Sequence, residues 1–177
     1  MKDKYIVLIV GESGSGKSTI CDELTKRYGL KQVKSYTTRP RRSENEDGHT
    51  FINDEQFDSL GDICAYTLFD GHRYCATKEQ IDNADLYIID PKGIEYFMAH
   101  YNGRKIPMVV YIHAVDWNRK KRMIERGDDI ESVNRRIKND EIEFKDVEQY
   151  ATSTYSNNVV RTIDIIVKNI YNQFFKE

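Results

Sequence analysis

The feature that most constrains this chain is a glycine-rich segment that lies between a strand-like run and a helix-like run. Residues 11–19 have the sequence GESGSGKST and fit the pattern G-x-x-x-x-G-K-[ST] at every fixed position. The preceding residues 5–10 are continuously apolar, as expected of a strand buried on both faces. Apolar residues then recur every four positions from Ile20 to Tyr28, and Gly29 follows where a helix should end. The order of strand, loop and helix predicts the start of an α/β fold.

The residue types of this segment suit the binding of a polyphosphate. Glycines let the backbone approach phosphate groups closely, and a helix that begins near Lys17 adds the positive end of its dipole. The Lys17 ammonium would reach the β- and γ-phosphates, and the Ser18 hydroxyl would ligate Mg²⁺. A glycine-rich turn that only happens to end in Lys-Ser is the alternative, and the flanking elements disfavour it. The residues predicted to bind the nucleotide phosphates are Gly11, Ser13, Gly14, Ser15, Gly16, Lys17, Ser18 and Thr19.

Length and composition indicate one globular domain. The 177 residues suffice for a full hydrophobic core, and 39% of them are hydrophobic while 32% are charged. The net charge of −2 argues against broad binding to nucleic acid or to anionic membranes. The apolar run at 5–10 is too short for a signal peptide, and the three cysteines lack metal-ligand spacing. We therefore expect a cytoplasmic protein with reduced thiols, a monomer or homodimer, without nucleic-acid or membrane partners.

Strand and helix patterns alternate along most of the chain. Strands are predicted at 32–38, 65–69, 73–76, 86–89 and 108–112, with a hairpin signal at 70–72. Short helices are predicted after a cap at Asn53 or Asp54 and after a capping box at Thr77, and longer ones with apolar faces around 94–101, 117–126, 130–144 and 163–174. This alternation predicts a three-layer α/β fold of the phosphate-loop NTPase type with a mostly parallel core sheet. The core is expected from residues 1–30, 81–115 and 145–177. A small α+β insertion that binds an acceptor is expected at 31–80, and a helical lid at 116–140.

Two further segments carry candidate chemistry. Asp90 ends an apolar strand, where such folds place an acidic group near the metal, and it also precedes Pro91 as a helix N-cap would. Residues 35–42 hold three arginines and four hydroxyl groups, which suits a second phosphate site as well as a solvated basic loop. The arginines of 119–136 fit a lid that carries positive charge onto a transferring phosphoryl group, and they also fit two charged surface helices.

The order of these motifs resembles the guanylate kinase family of nucleoside monophosphate kinases over nearly the whole chain. The resemblance is carried by the phosphate loop, 35–39 (SYTTR) with Arg42, 47–51 (DGHTF), 69–74 (FDGHRY), 122–127 (RMIERG) with Arg136, and 156–158 (SNN). It implies transfer of the γ-phosphoryl group of ATP, with Mg²⁺, to a nucleoside monophosphate such as GMP or dGMP.

The resemblance also implies a role for individual residues. The residues implied to bind the acceptor are Ser35, Arg39, Arg42, His49 and Tyr74. The residues implied to be catalytic are Lys17, Arg39, Arg122, Arg126 and Arg136. Asn157 is implied to contact the adenine of ATP, and Ser18 and Asp90 are the predicted metal ligands.

The chain departs from the family pattern chiefly where the acceptor base is recognised. Ala65 stands where the family has a glutamate that binds the guanine edge, and Ile88 stands where it has an aspartate near the base. His49 replaces a tyrosine, a Cys-Ala pair at Cys75 replaces Gly-Ser, and Glu12 replaces a common proline. A buried carboxylate discriminates strongly, because its loss leaves polar groups of the base unpaired. The resemblance therefore implies phosphate handling as in the family and leaves the acceptor base open.

Other functions remain open at this point. Some guanylate-kinase-like domains are noncatalytic protein-binding modules, and the altered base residues fit such a role, although Lys17 and the lid arginines argue against it. A phosphate-loop kinase for another small acceptor is a further alternative. A phosphate-loop hydrolase or switch is disfavoured, because the chain has no N-K-x-D guanine motif.

Overall fold

The computed structural model describes residues 4–41, 44–69, 71–159 and 161–176. Its helices are α1 (Lys17–Tyr28), α2 (Asp54–Asp58), α3 (Lys78–Asp82), α4 (Pro91–His100), α5 (Asp116–Glu125), α6 (Ile130–Glu143) and α7 (Thr162–Phe174). Its strands are β1 (Tyr5–Val10), β2 (Tyr36–Thr37), β3 (Thr50–Phe51), β4 (Ile63–Phe69), β5 (His72–Thr77), β6 (Leu86–Ile88), β7 (Ile106–His113) and β8 (Ser153–Ser156). A 3₁₀ helix spans Val147–Tyr150. Within these ranges, no helix combines the length and apolarity needed to cross a membrane.

The core sheet contains four parallel strands in the order β6-β1-β7-β8. β1 pairs with β6 on one side and with β7 on the other, and β7 pairs with β8. The carboxyl ends of the four strands therefore lie along one edge of the sheet, where open α/β folds bind their ligands. The prediction of a mostly parallel core sheet is confirmed.

Alternate side chains of β1 face opposite layers of the fold. Ile6 and Leu8 belong to a buried cluster that includes residues of α4, while Val7 and Ile9 belong to a second cluster with residues of α1 and α7. Burial of one such side chain stabilises the fold by about 1.5–3 kcal/mol. The sheet is thus held between two helical layers, which confirms the predicted three-layer architecture.

A second, smaller sheet has the order β3-β2-β5-β4 and belongs to the insertion. β4 and β5 form the predicted antiparallel hairpin, and β4 lies against α4. Asn53 and Thr77 begin α2 and α3 with capping boxes, in which Gln56 and Gln80 supply the reciprocal side chains. The insertion is therefore a small α+β unit attached next to the core sheet.

Three strands differ from the sequence pattern: β2, β8 and the two-residue β3, which lies where no strand is predicted. Residues 32–38 do not form a single strand: Gln32 bridges to Leu86 of the core sheet, whereas β2 pairs with β5 of the second sheet. Because the chain crosses between the two sheets here, neither sheet can extend along the whole segment. β8 has no alternating apolar pattern, and its position follows from parallel pairing with β7, with Val110 opposite Ser153.

Helices α5 and α6 form the segment for which a lid is predicted, and they are called the lid helices below. Met123 of α5 packs with Val133 and Ile137 of α6 in a small buried cluster. Gly127 lies in the turn between the helices with a φ of 96°, a left-handed conformation that glycine adopts at little cost. The two helices therefore form a pair with its own apolar contact.

Candidate active site

A cavity of about 550 Å³ lies at the carboxyl edge of the core sheet, between the second sheet and the lid helices. Of the predicted site residues, those that line it are Gly11, Ser13, Gly14, Gly16, Lys17, Ser18, Thr19, Ser35, His49, Tyr74, Asp90, Arg122, Arg126 and Arg136. Ser15, Arg39 and Asn157 lie outside this lining. The fold thus brings together residues from the phosphate loop, the insertion and the lid that are far apart in the sequence.

Two glycines give the phosphate loop its shape. Gly14 and Gly16 have φ values of 76° and 99°, in the left-handed region. A Cβ atom at Gly14 would lie 2.6 Å from the carbonyl oxygen of Arg119, and one at Gly16 would lie 2.4 Å from Nδ2 of Asn157. The loop therefore passes this close to its neighbours only because these positions carry no side chain.

The Lys17 ammonium folds back onto the phosphate loop. Its Nζ donates to the carbonyl oxygens of Gly11 and Glu12, with a distance of 2.9 Å to Glu12. Burial lowers the pKa of Lys17 to about 8, and the carboxylates of Asp140 and Glu12 oppose that shift. An anionic phosphate in the cavity would stabilise the charged form further. Lys17 is therefore suited to hold a phosphate group.

A buried ion pair connects the lid directly to the phosphate loop. Arg119 and Asp140 are 3% and 6% exposed and form a salt bridge. Oδ2 of Asp140 accepts the backbone N–H of Ser13 at 2.9 Å, and Nε of Arg119 donates to the Ser13 carbonyl oxygen at 2.9 Å. Sequence analysis misses this contact, because Ser13 and Asp140 are 127 residues apart. Charged residues among the inward-facing positions of α5 and α6 are the signal that could have indicated it.

Arg122 and Asn157 support the backbone of the loop. Nη1 of Arg122 donates to the carbonyl oxygens of Gly14 and Ser15 at 3.2 Å, and Nη2 donates to the Asn157 carbonyl oxygen at 2.7 Å. Asn157 is 1% exposed; its Nδ2 donates to the Ser15 carbonyl oxygen at 2.8 Å, and its Oδ1 accepts from Thr162. The Asn157 side chain is therefore bonded to the phosphate loop and to Thr162. Its contact with adenine stays a prediction.

Arg126 and Arg136 share one carboxylate. Nε of Arg126 lies 3.0 Å from both carboxylate oxygens of Asp128, and Nη1 of Arg136 lies 3.1 Å from Oδ2 of the same residue. Two guanidinium groups and one carboxylate give this cluster a net positive charge at the cavity. It can therefore attract a phosphate group.

The opposite side of the cavity is formed by the insertion. Oγ of Ser35 is hydrogen-bonded to Nδ1 of His49 at 2.9 Å. The His49 ring meets the Tyr74 ring edge to face, with 5.6 Å between the centroids. Ser35, His49 and Tyr74 therefore form one connected group at the cavity, and their role in binding an acceptor stays a prediction.

Arg39 is paired with an acidic residue of its own loop. Nη2 of Arg39 lies 2.6 Å from Oε1 of Glu46, and Nη1 lies 3.3 Å from Oε2, so the contact is bidentate. A phosphate group offers the same paired oxygens and can take the place of this carboxylate. Arg42, the other arginine predicted to bind the acceptor, lies outside the described residues.

Ser18 and Asp90, the predicted metal ligands, both line the cavity. Oδ1 of Asp90 accepts the N–H of Gly93 at 2.6 Å, so the predicted N-cap of α4 is confirmed. Burial raises the pKa of the Asp90 carboxyl group, against the effect of its hydrogen bonds. The described part of the chain contains no cluster of three histidine, cysteine or acidic side chains that could hold a metal by itself. A cation here would need further ligands from phosphate oxygens and water.

Comparison with known proteins agrees with this geometry. The family model described as Guanylate kinase matches residues 2–173 of the chain. The chain belongs to the guanylate kinase family. Within the family, a guanylate kinase of Clostridium acetobutylicum is 30% identical over 185 residues, which cover 94% of this chain and 86% of the relative. A guanylate kinase of Anaplasma phagocytophilum is 26% identical over 180 residues, which cover 94% of this chain and 86% of the relative.

A crystal structure of guanylate kinase from Anaplasma phagocytophilum shares the fold. It aligns with a TM-score of 0.67 and 18% identity, and the alignment covers 99% of this chain and 89% of the other. The guanylate kinase fold therefore accounts for the whole described arrangement of core sheet, insertion and lid.

The structure places both residues at which the sequence departs most from the family pattern. Ala65 is 1% exposed and lies in the core cluster, and Ile88 lines the cavity. Tyr87, which sequence analysis does not single out, also lines the cavity and is 6% exposed. Its apolar neighbours on β6 give it the pattern of a core strand residue, so sequence alone does not show that it reaches a site.

Proposed function

We propose that this protein is a nucleoside monophosphate kinase that transfers the γ-phosphoryl group of ATP to GMP or dGMP. The observation that carries the proposal is a single cavity lined by the phosphate loop, by the lid arginines and by Ser35, His49 and Tyr74 of the insertion. A donor polyphosphate and an acceptor monophosphate bound to these groups would meet in the same space. Membership in the guanylate kinase family supports the proposal.

The transfer would depend on positioning and charge neutralisation rather than on a general base. Backbone N–H groups of the phosphate loop and the Lys17 ammonium would hold the β- and γ-phosphates of ATP. Arg126 and Arg136 would neutralise the charge that develops on the transferring phosphoryl group. Their common partner Asp128 fixes the two guanidinium groups side by side.

Ser18 and Asp90 would hold Mg²⁺ together with phosphate oxygens. A hydroxyl and a carboxylate are the oxygen ligands that this cation prefers, so the residues present fit the ion. When bound, Mg²⁺ would neutralise phosphate charge and orient the donor. A nearby cation would also favour the ionised form of Asp90, whose pKa burial raises.

The acceptor phosphate would bind to Arg39, Arg42, His49 and Tyr74, while Ser35 would lie near the base. Binding would exchange the bidentate contact of Arg39 with Glu46 for one with phosphate oxygens. The pair is largely shielded, with side-chain exposures of 11% and 20%, so the exchange keeps Arg39 paired throughout.

A phosphate-loop kinase for another small acceptor is a second candidate, favoured by the base end of the cavity. Neither Ala65 nor Ile88 supplies the charge that recognises a guanine edge, although the phosphate side of the site fits the family. A noncatalytic binding module would retain the fold but has no use for a desolvated Lys17 beside a polar cavity.

The test is ADP formation from ATP and Mg²⁺ against a panel of ribo- and deoxynucleoside monophosphates, including modified bases. We expect ADP formation with GMP or dGMP and little or none with adenine or pyrimidine nucleotides. Turnover with a different small acceptor would favour the second candidate, and ATP binding without turnover across the panel would favour the binding module.

A further inference from the structure

The Tyr87 side chain is largely buried and reaches the cavity. Tyr87 lines the cavity, and 6% of its surface is exposed. Among the described residues, none forms a hydrogen bond with its hydroxyl group. A tyrosine hydroxyl set in an apolar environment usually has a hydrogen-bond partner. The Tyr87 hydroxyl is therefore available to a ligand bound in the cavity.

Tyr87 packs against small side chains of the second sheet. Its ring lies in the core cluster with Cys64, Ala65 and Ala76, three small side chains of the hairpin β4–β5. Small residues opposite a large ring leave room for Tyr87 beside the second sheet. Burial, with a smaller contribution from the Asp90 carboxylate, raises the pKa of Tyr87, so the group stays a neutral hydroxyl.

Other polar groups at this end of the cavity already have partners. Thr67 is hydrogen-bonded to Asp90, and Asp90 also accepts the N–H of Gly93. The Ser35 hydroxyl is bonded to His49. Tyr87 thus differs from its neighbours, because both the donor and the acceptor capacity of its hydroxyl are unused by the described residues.

We propose that Tyr87 contacts the nucleobase of the acceptor and sets a specificity for 6-oxopurines that does not depend on a 2-amino group. This inference rests on the proposed kinase function and names the acceptor class of the same site. A single neutral hydroxyl can donate to the 6-oxo group or accept from the ring N–H. It cannot pair with the ring N–H and the exocyclic amine together, as a carboxylate can.

The inference predicts weak discrimination between GMP and IMP, which differ by the 2-amino group alone. Strong rejection of an analogue requires a buried polar group that is left unpaired when the analogue binds. Ala65 and Ile88 stand at the positions where the family pattern has such groups, and only Ile88 lines the cavity. We expect kcat/KM values for GMP and IMP within about tenfold of each other in the unmodified protein.

Tyr87→Phe tests the contact, because it removes the hydroxyl and keeps the ring. We expect kcat/KM to fall about three- to tenfold for both GMP and IMP, while KM for ATP stays within about twofold. Tyr155→Phe is the matched control. The Tyr155 hydroxyl donates to Gln173, and the residue packs on the face of the core sheet opposite to Tyr87. Removal of this hydroxyl should leave kcat/KM for GMP and IMP unchanged. Melting temperatures of both variants show that the fold is intact.

Three results would overturn the inference: preference for GMP over IMP above about a hundredfold, unchanged acceptor kinetics in Tyr87→Phe, or turnover of pyrimidine acceptors alone. Calorimetric binding of GMP and IMP separates this inference from the proposed function. Binding of both that weakens in Tyr87→Phe, without any turnover, would refute the kinase and keep the contact. Absence of binding by either nucleotide would refute both.

Discussion

Asp140 on the lid helix α6 accepts the backbone N–H of Ser13 in the phosphate loop at 2.9 Å. The same carboxylate forms a buried salt bridge with Arg119, whose Nε donates to the Ser13 carbonyl oxygen. Both polar atoms of one loop residue's backbone are therefore bonded to the lid. The conformation of the phosphate loop and the position of the lid helices are thus physically linked.

Asp140→Asn should lower the free energy of unfolding markedly, although the two side chains have nearly the same shape. It leaves the buried Arg119 guanidinium with only the half-exposed Asp116 as a charged partner, and loss of the buried carboxylate costs about 3 kcal/mol. For a chain of this size, that loss lowers the melting temperature by about 6–12 °C. Thermal unfolding followed by circular dichroism measures the effect.

Asp164→Asn is the control for Asp140→Asn. Asp164 forms a salt bridge with Arg27, so the substitution also removes a carboxylate from an arginine. The Asp164 side chain, however, is 69% exposed. An exposed pair contributes about 0–1 kcal/mol, so its loss should shift the melting temperature little. Equal shifts in the two variants would contradict the role given to the buried pair.

Lys17→Ala should reduce turnover at least about a hundredfold, because it removes a charge that stabilises the transferring phosphoryl group. Lys26→Ala, on the exposed face of the same helix α1, should leave turnover unchanged. Steady-state ADP release at saturating ATP measures both. Turnover of Lys17→Ala near that of the unmodified protein would contradict the role of Lys17.

ATP affinity should fall as the pH rises through about 8, the pKa of Lys17 in the free protein. Below that pH, Lys17 is charged before ATP binds, so binding needs no proton. Above it, binding must take up a proton, and Kd should rise up to about tenfold per pH unit. Lys17→Arg keeps a permanent charge, so its Kd should be nearly flat between pH 7 and 9; calorimetry in both variants measures the difference.

Asn157→Ala separates support of the loop from contact with adenine. Asn157 is 1% exposed and bonds the Ser15 carbonyl oxygen, so its loss should weaken binding of any nucleoside triphosphate equally. We expect KM for ATP and for GTP to rise by the same factor, about three- to tenfold. A rise for ATP alone would instead favour direct recognition of adenine.

Local patterns predict the elements of this fold better than they predict its contacts. The phosphate loop, the capping boxes of Asn53 and Thr77 and the hairpin β4–β5 all follow from residues close in sequence. β8 could not be predicted, because its short polar sequence becomes a strand only through pairing with β7.

Most of the predicted site residues that the structure describes line one cavity, because strand ends, the second sheet and helices α5 and α6 converge there. The bond between Ser13 and Asp140 could not be predicted, since it joins residues far apart in the chain. Tyr87 has the pattern of a core residue, and only the shape of the cavity shows that it reaches the site. Sequence therefore identifies the phosphate loop more readily than the residues on the other side of the cavity.

The most direct test of the account follows both products of one reaction. Purified protein is mixed with ATP, Mg²⁺ and GMP, and ADP and GDP are quantified by chromatography over time. The account predicts equal amounts of ADP and GDP, with neither formed when GMP is omitted. ADP without GDP would show hydrolysis rather than transfer, and absence of both products would contradict a kinase that accepts GMP.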